Sequence, residues 1–360
     1  MVRSSLNVQT IETNDISKEM DKRKEIEKRV DEKWEVYKKQ SKLIVRAFAG
    51  QGYFKRASKI RDCGKNLVFA LNIQHERKLK SAMFCKDVMC PVCNWRRSIK
   101  RKMELEKHIN VLQYKGFTHT HADKTHTHIV KDFSHVTFTL KSTFDIEGTV
   151  NRLWQSWRKL QRRAWYKKMF LGAYCSIEYT YNDSNGYHPH LHCLLAWNDE
   201  WVSKFKCGGK FPVKLKCWQD LTNFLIKDEW EKITGDSRVV NVKNKTKKSL
   251  HEVTKYITNF KNLFNGADGG ERVIEMAKEL KGRRKYQVSG CFRNMDINED
   301  DLIHIDEEKF AYEDIVGYEE WIWDDKLNHY HKYFFTKEEY QFYKEEKGKH
   351  ERALLCKKCV

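Results

Sequence analysis

Two histidines stand one residue apart in an apolar segment that reads YHPHLHCLL from Tyr187 to Leu195. Side chains alternate between the two faces of a strand, so His190 and His192 are expected on the same face. Two neighbouring imidazoles can hold a divalent metal, and hard cations such as Mg²⁺ or Mn²⁺ also need an oxygen ligand. Glu178, in the apolar segment just before, is the candidate third ligand. The alternatives are a pair of half-buried histidines and a surface glutamate paired with a lysine.

A second group of reactive side chains lies in the segment LHEVTKY, which ends at Tyr256. On a helix, Glu252 and Tyr256 are four residues apart and share a face. A tyrosine hydroxyl can attack phosphorus to form a phosphotyrosyl link, and a carboxylate one turn away can take up a proton. Spacing alone favours the plainer interpretation, an amphipathic helix with a surface glutamate and a half-buried tyrosine.

Four cysteines have the spacing of a structural zinc site: Cys63, Cys85, Cys90 and Cys93. The turn in Cys-Pro-Val-Cys would let two thiolates meet one ion, and four would complete a tetrahedron. Buried thiols without a metal are the alternative. Arg96 and Arg97 follow directly, and we expect them to face DNA phosphates. A further pair, Cys356 and Cys359, is a weaker zinc candidate.

The composition points to a polyanionic partner. The chain has 360 residues with 69 Lys+Arg against 50 Asp+Glu, a formal charge of +19, which suits nucleic acid. No apolar run approaches the roughly 20 residues of a membrane-spanning helix, and residues 1–18 lack the core of a signal peptide. We therefore expect a cytoplasmic protein, in which the 11 cysteines are metal ligands or buried thiols.

The sequence pattern predicts elements that position these groups. Residues 1–15 are expected to be disordered or loosely attached, and residues 16–48 to form one long amphipathic helix or a helical pair. The Thr-His-rich insert at 118–128 is expected to be a loop. The turn Asn182–Gly186 predicts an antiparallel pairing of its flanking strands, and Pro189 predicts an edge position or an irregular start to pairing. The other predicted strands are 66–73, 134–140, 174–179, 187–197 and 239–242, and the other helices are 95–113, 151–170, 216–234 and 249–264.

Taken in chain order, these segments resemble the rolling-circle replication initiators (Rep proteins) of small bacterial plasmids, in the HUH endonuclease superfamily. The resemblance covers roughly residues 60–295. It rests on Phe84-Cys85, Cys90-Pro91-Val92-Cys93, Trp95-Arg96-Arg97, the strand His135–Leu140, His188-Pro189-His190-Leu191-His192, Glu252 with Lys255-Tyr256, Lys281–Arg284 and Gly290–Arg293.

This resemblance implies an α+β fold, an antiparallel central sheet with helices packed on it, joined to a small zinc-binding module and helical extensions. The domains expected are an N-terminal helical extension (1–55), a cysteine-cluster zinc module with a basic helix (56–113), an HUH nuclease domain (130–265) and a C-terminal region with an acidic tail (266–360).

The resemblance also implies the activity. Tyr256 would nick one strand at a rolling-circle origin, and Glu252 would activate water to end the cycle. Mg²⁺ or Mn²⁺ would be held by His190, His192 and Glu178, and Zn²⁺ by the cysteines. Relatives often carry a lysine at the position of Asn259, so Lys255 or Lys261 stands in as the phosphate-contacting base, with Lys255 the expected DNA-binding residue.

The partners implied are single-stranded and hairpin origin DNA, a host helicase and a single-strand-binding protein. His188 would orient a ligand or lie on the surface. An HUH transposase or relaxase and a non-catalytic zinc DNA-binding regulator remain alternatives.

Overall fold

A computed structural model of the chain describes residues 6–74, 76–121, 124–198, 200, 218–255, 268–293, 295 and 310–356. The chain divides into two compact units. Unit 1 comprises Met1–Leu43, Arg61–Met83 and Glu308–Val360, and unit 2 comprises Ile44–Ile60 and Phe84–Glu307. The four domain boundaries expected from the sequence stay a prediction.

The chain begins with two helices, α1 (Leu6–Gly50) and α2 (Phe54–Asp62). The long amphipathic helix is confirmed as a single helix. The expected disorder of residues 1–15 is wrong from Leu6 onward, because the helix already begins there.

Unit 1 contains a four-stranded antiparallel sheet made from distant parts of the chain. Its strands are β1 (Asn66–Asn72), β2 (Arg77–Ala82), β10 (Ile315–Asp324) and β11 (His329–Thr336), in the order β11-β10-β1-β2. A last helix, α9 (Lys337–Cys356), follows. Its Tyr340 packs with Val68, Ala70 and Tyr318 on one sheet face. Cys359, from the weaker zinc pair, lies outside the described residues.

Unit 2 is built on a five-stranded antiparallel sheet. Its strands are β5 (Phe133–Thr139), β6 (Phe170–Asn182), β7 (Gly186–Trp197), β8 (Val240–Asn244) and β9 (Tyr286–Gly290). They lie in the order β8-β5-β7-β6-β9. The hairpin β3 (Phe117–His121) and β4 (Lys124–His128) forms a separate pair. The helices are α3 (Pro91–Tyr114), α4 (Thr149–Gln161), α5 (Ala164–Met169), α6 (Trp218–Thr234), α7 (Lys247–Thr254) and α8 (Gly269–Leu280).

The two faces of this sheet carry different layers. On one face Phe138 packs against Trp157 of α4 and Trp230 of α6, with ring centroids 5.6 and 4.7 Å apart. Such aromatic packing buries large apolar area and accounts for much of the stability of this layer. The opposite face packs on α3 and α7 through a core that includes Tyr174 and Leu194. Residues 190 and 192 share the face of Leu194, so the histidines continue that second layer.

The predicted antiparallel pair around the Asn182–Gly186 turn is confirmed, with Asn182 opposite Gly186 and Glu178 opposite His190. Gly186 has φ 78°, a left-handed conformation that favours glycine. The edge position expected from Pro189 is wrong, since β7 is the central strand, but the alternative of an irregular start to pairing is confirmed, because the regular pairing of β7 with β5 begins only at His190. The carbonyl of Pro189 accepts a hydrogen bond from the N–H of Leu140, which lies just past the end of β5. The missing N–H of the proline therefore falls where that ladder stops, which is why a central strand tolerates it.

Three further expectations need correction. The Thr-His insert is a β-hairpin rather than a loop, because alternating threonine favours strand pairing. The helix expected over 151–170 is broken between Gln161 and Ala164 into α4 and α5. The helix expected over 249–264 ends, as far as the chain is described, at Thr254, and Lys255 has an extended ψ of 147°. Residues 256–264 of that expectation lie outside the described residues.

Candidate functional site: a histidine–glutamate cluster on the central strands

Three adjacent strands bring polar side chains to one face of the unit 2 sheet. On β7, His190 lies opposite Glu178 and His192 opposite Ser176, both on β6. On the other side Thr139 and Thr137 of β5 lie opposite the same two histidines. Directly opposite residues of an antiparallel pair share a face. The register therefore confirms that His190 and His192 lie on one face, and it adds Glu178 to that face.

His192 is held from three sides. Its Nε2 lies 2.7 Å from Oε2 of Glu178. Its Nδ1 lies 3.2 Å from Nε2 of His135 and 3.1 Å from Oγ1 of Thr137. Since carboxylates only accept, Nε2 of His192 donates to Glu178, while Nδ1 contacts both His135 and Thr137. These contacts fix the position of the ring.

His190 is held by hydroxyl groups. Its Nδ1 lies 3.0 Å from Oγ1 of Thr139, and its Nε2 lies 3.4 Å from Oγ1 of Thr180. The rings of His190 and His192 are 6.2 Å apart between centroids. His188 points to different partners, with Nδ1 2.5 Å from Oγ of Ser142 and Nε2 2.6 Å from Nδ2 of Asn182.

Burial sets the protonation of this cluster. Burial and the neighbouring His192 lower the pKa of His190 to about 4 and the pKa of His135 to about 4. Burial alone would raise the pKa of Glu178, but the hydrogen bond and charge of His192, together with Lys255, lower it. At neutral pH His190 and His135 are therefore neutral imidazoles and Glu178 is an ionised carboxylate, the forms in which these groups bind metals.

Helix α7 brings two more charged groups to the cluster. Thr246 and Ser249 form a capping box at its start, and Oγ of Ser176 donates to the carbonyl of Val253 near its end at 2.6 Å. Just beyond, Nζ of Lys255 lies 2.9 Å from Oε2 of Glu252. The negative charge of Glu252 tends to raise the pKa of His135, and the positive charge of Lys255 lowers the pKa of Glu178. Tyr256 lies outside the described residues.

His135 belongs to this cluster, although the sequence analysis did not select it as a site residue. It is 7% exposed, and its ring stacks on His192 with centroids 5.5 Å apart. The alternation of His135, Thr137 and Thr139 along β5 was the available signal, because one face of the strand carries all three polar side chains.

The chemistry of the histidine–glutamate set fits a divalent cation, since it combines imidazole nitrogens with a carboxylate oxygen. The four cysteines are gathered more tightly: the sulfur atoms of Cys63, Cys85, Cys90 and Cys93 all lie within 4.8 Å of one another. Within the described part of the chain, no other set of three or more such residues is so close. The cysteine group can therefore bind a metal such as zinc. A metal at the histidine–glutamate set stays a prediction.

The two arginines after the cysteines are buried rather than presented to solvent. Arg96 is 8% and Arg97 is 7% exposed. Arg97 donates to the carbonyls of Lys86 at 2.7 Å and Asp87 at 3.4 Å, which shapes the loop between Cys85 and Cys90. Their binding to DNA stays a prediction, and the structure shows Arg97 in a structural contact instead.

Comparisons with known proteins establish the family. The chain belongs to the Rep_1 family of replication proteins, whose model, described as "Replication protein", matches residues 76–341. "Protein rep" of Lactiplantibacillus plantarum is 28% identical over 77% of this chain and 88% of its own length. "Protein rep" of Lentilactobacillus hilgardii is 26% identical over 73% and 83%, and that of Streptococcus pneumoniae 25% over 74% and 79%. No solved structure matches the chain.

This membership agrees with the resemblance seen in the sequence and makes the chain a replication initiator of the plasmid rolling-circle type. Its partner in that role is origin DNA, which suits the charge of +19. Among the described residues, no helix is long and apolar enough to cross a membrane.

Proposed function

We propose that this initiator nicks one DNA strand at its origin, with Tyr256 as the nucleophile and the histidine–glutamate cluster as the electrophilic half of the site. Nicking would leave a 5′-phosphotyrosyl bond and a free 3′-hydroxyl that primes synthesis. Strand transfer and hydrolysis would then end the cycle. The sheet of unit 2 would be the HUH nuclease fold.

The observation that carries this proposal is the meeting of two groups of residues. One group, on β5, β6 and β7, comprises His135, His190, His192 and Glu178. The other, at the end of α7, comprises Glu252 and Lys255, which act electrostatically on the first. Tyr256 follows Lys255 directly in the sequence. Phosphoryl transfer needs a base, a positive charge near the phosphate and a cation site. Glu252, Lys255 and the histidine–glutamate cluster would supply these three parts.

In the first step, the hydroxyl oxygen of Tyr256 would attack the scissile phosphorus as the bond to the 3′ oxygen breaks. The tyrosyl proton leaves to a base, and the 3′ oxygen takes up a proton to become the primer hydroxyl. Lys255 would contact a phosphate oxygen as a point charge. In the last step, Glu252 would take a proton from water, whose oxygen replaces the tyrosine at phosphorus.

His190, His192 and Glu178 would hold Mg²⁺ or Mn²⁺, which when bound polarises the phosphate and neutralises developing charge. In this scheme His135 is a positioning residue, because it reaches His192 and not the ligand side of the cluster. Zinc at the cysteine group would fix the loop that precedes α3. A host helicase and a single-strand-binding protein would act on the primed strand.

Adduct formation tests the nucleophile. The protein is incubated with Mn²⁺ and single-stranded oligonucleotides that tile the DNA around its gene, and denaturing gels detect covalent complexes. Tyr256→Phe should abolish the adduct. Tyr114→Phe is the matched control, because Tyr114 is 84% exposed on α3 and is not part of the cluster, so this variant should retain the adduct. An adduct formed by Tyr256→Phe would show that another residue is the nucleophile.

A second variant tests the division of labour. Glu252→Ala should still nick, while hydrolytic release of the covalent DNA falls. Equal loss of nicking and release would refute the role of Glu252 as the base for water.

A further inference from the structure

The polar face of the unit 2 sheet continues past the histidine–glutamate cluster to the edge strand β8. On β8, Asn241 lies opposite Thr137 and Lys243 lies opposite His135, both on β5. Thr137 in turn lies opposite His192 on the other side of β5. Since directly opposite residues share a face, Asn241 and Lys243 belong to the face that carries the cluster. The nicking scheme above gives neither side chain a role.

This face becomes more exposed toward β8. Glu178 and His192 are 9% and 7% exposed, Thr137 is half-buried, and Asn241 and Lys243 are exposed. Among the described strands, β8 is the outermost on its side of the sheet. The edge at β8 is therefore an open side from which a DNA strand can approach the recessed cluster.

Lys243 brings a positive charge to this open side. Burial is the main cause of the low pKa of His135, and the charge of Lys243 lowers that pKa further, so the charge acts within the cluster. Among the described residues, no carboxylate lies within ion-pair distance of Nζ of Lys243. Lys255 differs, because its Nζ lies 2.9 Å from Oε2 of Glu252. The charge of Lys243 is thus the less neutralised of the two.

The two lysines approach the cluster from different sides. Lys255 follows α7, which is tied to β6 by the bond from Ser176 to the carbonyl of Val253. Lys243 lies on β8, beyond β5. Proteins that hold single-stranded nucleic acid use a positively charged groove that follows the backbone. A strand that crosses the cluster from β8 toward β6 would meet a lysine on each side, with the scissile phosphate between them.

We propose that the single-stranded substrate enters over β8 and that Lys243 binds a backbone phosphate adjacent to the scissile one. The inference rests on the proposed nicking function. Neighbouring strands lie about 4.7–4.9 Å apart, which places β8 about 10 Å from β7. Lys243 therefore lies beyond a phosphate held at His190 and His192 and within reach of the next one. A lysine on a flexible stem contributes a point charge there and reads no base.

The test measures binding without nicking. A fluorescein-labelled single-stranded oligonucleotide from the DNA around the gene is titrated with the full-length protein over a NaCl series, without added Mn²⁺, and anisotropy gives the binding constant. Each phosphate contact to a single strand contributes about 0.7 to the slope of log K against log salt. Lys243→Gln should reduce this slope by about 0.7 and weaken binding about threefold to fivefold. Lys243→Arg should keep the wild-type slope.

Lys159→Gln is the matched control. Lys159 is exposed on α4, in the layer that covers the opposite face of the sheet, so its loss should leave the slope unchanged. The alternative for Lys243 is a solvated lysine without a partner. An unchanged slope in Lys243→Gln, an equal fall in Lys159→Gln, or a Lys243→Arg protein that binds no better than Lys243→Gln would overturn the proposal.

The outcome is separable from that of the nicking scheme. In the nicking assay the loss in Lys243→Gln should appear mainly in KM for the oligonucleotide, because His135, with a pKa of about 4 caused mainly by burial, stays neutral without the lysine. If Tyr256→Phe still forms the adduct while Lys243→Gln lowers the salt slope, the nucleophile is wrong and the contact at β8 stands. A normal adduct test with an unchanged salt slope refutes the contact alone.

Discussion

Removal of His135 tests whether the cluster works as a hydrogen-bonded unit. In His135→Leu the Nδ1 atom of His192 loses a partner at 3.2 Å and a stacked ring at 5.5 Å but keeps Oγ1 of Thr137 at 3.1 Å. One neutral hydrogen bond contributes about 1 kcal/mol, which corresponds to roughly a fivefold change. We therefore expect the half-saturating Mn²⁺ concentration for nicking to rise about fivefold, with a similar rise in Thr137→Val.

The double variant should exceed the product of the single ones. With His135 and Thr137 both replaced, Nδ1 of His192 has neither partner in a site where His192 is 7% exposed. An unsatisfied buried polar atom costs about 1–3 kcal/mol beyond the lost bonds. We expect a rise of about 100-fold or more, the upper range known for partners of metal-ligating histidines.

The assay measures nicking rates over a Mn²⁺ series together with the unfolding midpoint of each protein. His188→Gln is the matched control, because His188 lies on the same strand but bonds to Ser142 and Asn182. The half-saturating Mn²⁺ concentration of His188→Gln should stay within about twofold of the wild-type value. A double variant no worse than either single one would refute the idea that these two residues orient His192.

Three further expectations concern stability and zinc. Glu279→Gln should lower the free energy of unfolding in urea by about 1–3 kcal/mol. The buried carboxylate of Glu279, on α8, accepts hydrogen bonds from two backbone N–H groups at the start of α4, at 3.1 and 2.8 Å. The control Glu271→Gln, at an exposed position of α8, should change this free energy by less than about 0.5 kcal/mol. An equal effect of both would contradict the capping role. Cys90→Ser should remove about one zinc per chain by metal analysis, and unchanged zinc content would exclude the cysteine group as the site. Gly186→Ala should lower the free energy of unfolding by at least about 2 kcal/mol, since a Cβ at φ 78° would collide with the backbone carbonyl of Thr143. The control Gly282→Ala, at φ 67° with open space around the new Cβ, carries only the backbone strain and should lower this free energy less.

The central part of the site was predictable because it depends on local rules. Alternation along β7 puts His190 and His192 on one face whatever the tertiary structure, and the tight turn at Gly186 fixes which residues of β6 lie opposite. Glu178 follows from that register. The tertiary pairing of β5 with β7 is a longer-range event, and His135 reaches His192 only through it.

Other features could not be read from the sequence. The edge position inferred from Pro189 failed because the rule considers a missing N–H but not where the neighbouring strand ends. In unit 1, β10 pairs with β1 across about 250 residues, as in Phe69 opposite Glu319. No local pattern encodes such a partner. The low complexity of the Thr-His segment predicts a loop, whereas the strand propensity of its threonines favours the hairpin that forms.

The division of the cluster between sheet and helix has a mechanistic consequence. His190 and His192 lie on a strand paired on both sides, with each ring held by neighbouring side chains, so the proposed cation-binding half is organised in the absence of DNA. Preorganised polar groups are more effective than groups that must reorient during the reaction. Glu252 and Lys255 lie instead at the end of a short helix, tied to the sheet by the bond from Ser176 to the Val253 carbonyl. The proposed site therefore combines an electrophilic half held by the sheet with Glu252 and Lys255 at a helix end, directly before Tyr256 in the sequence, which suits a mechanism in which Tyr256 attacks and Glu252 serves the release.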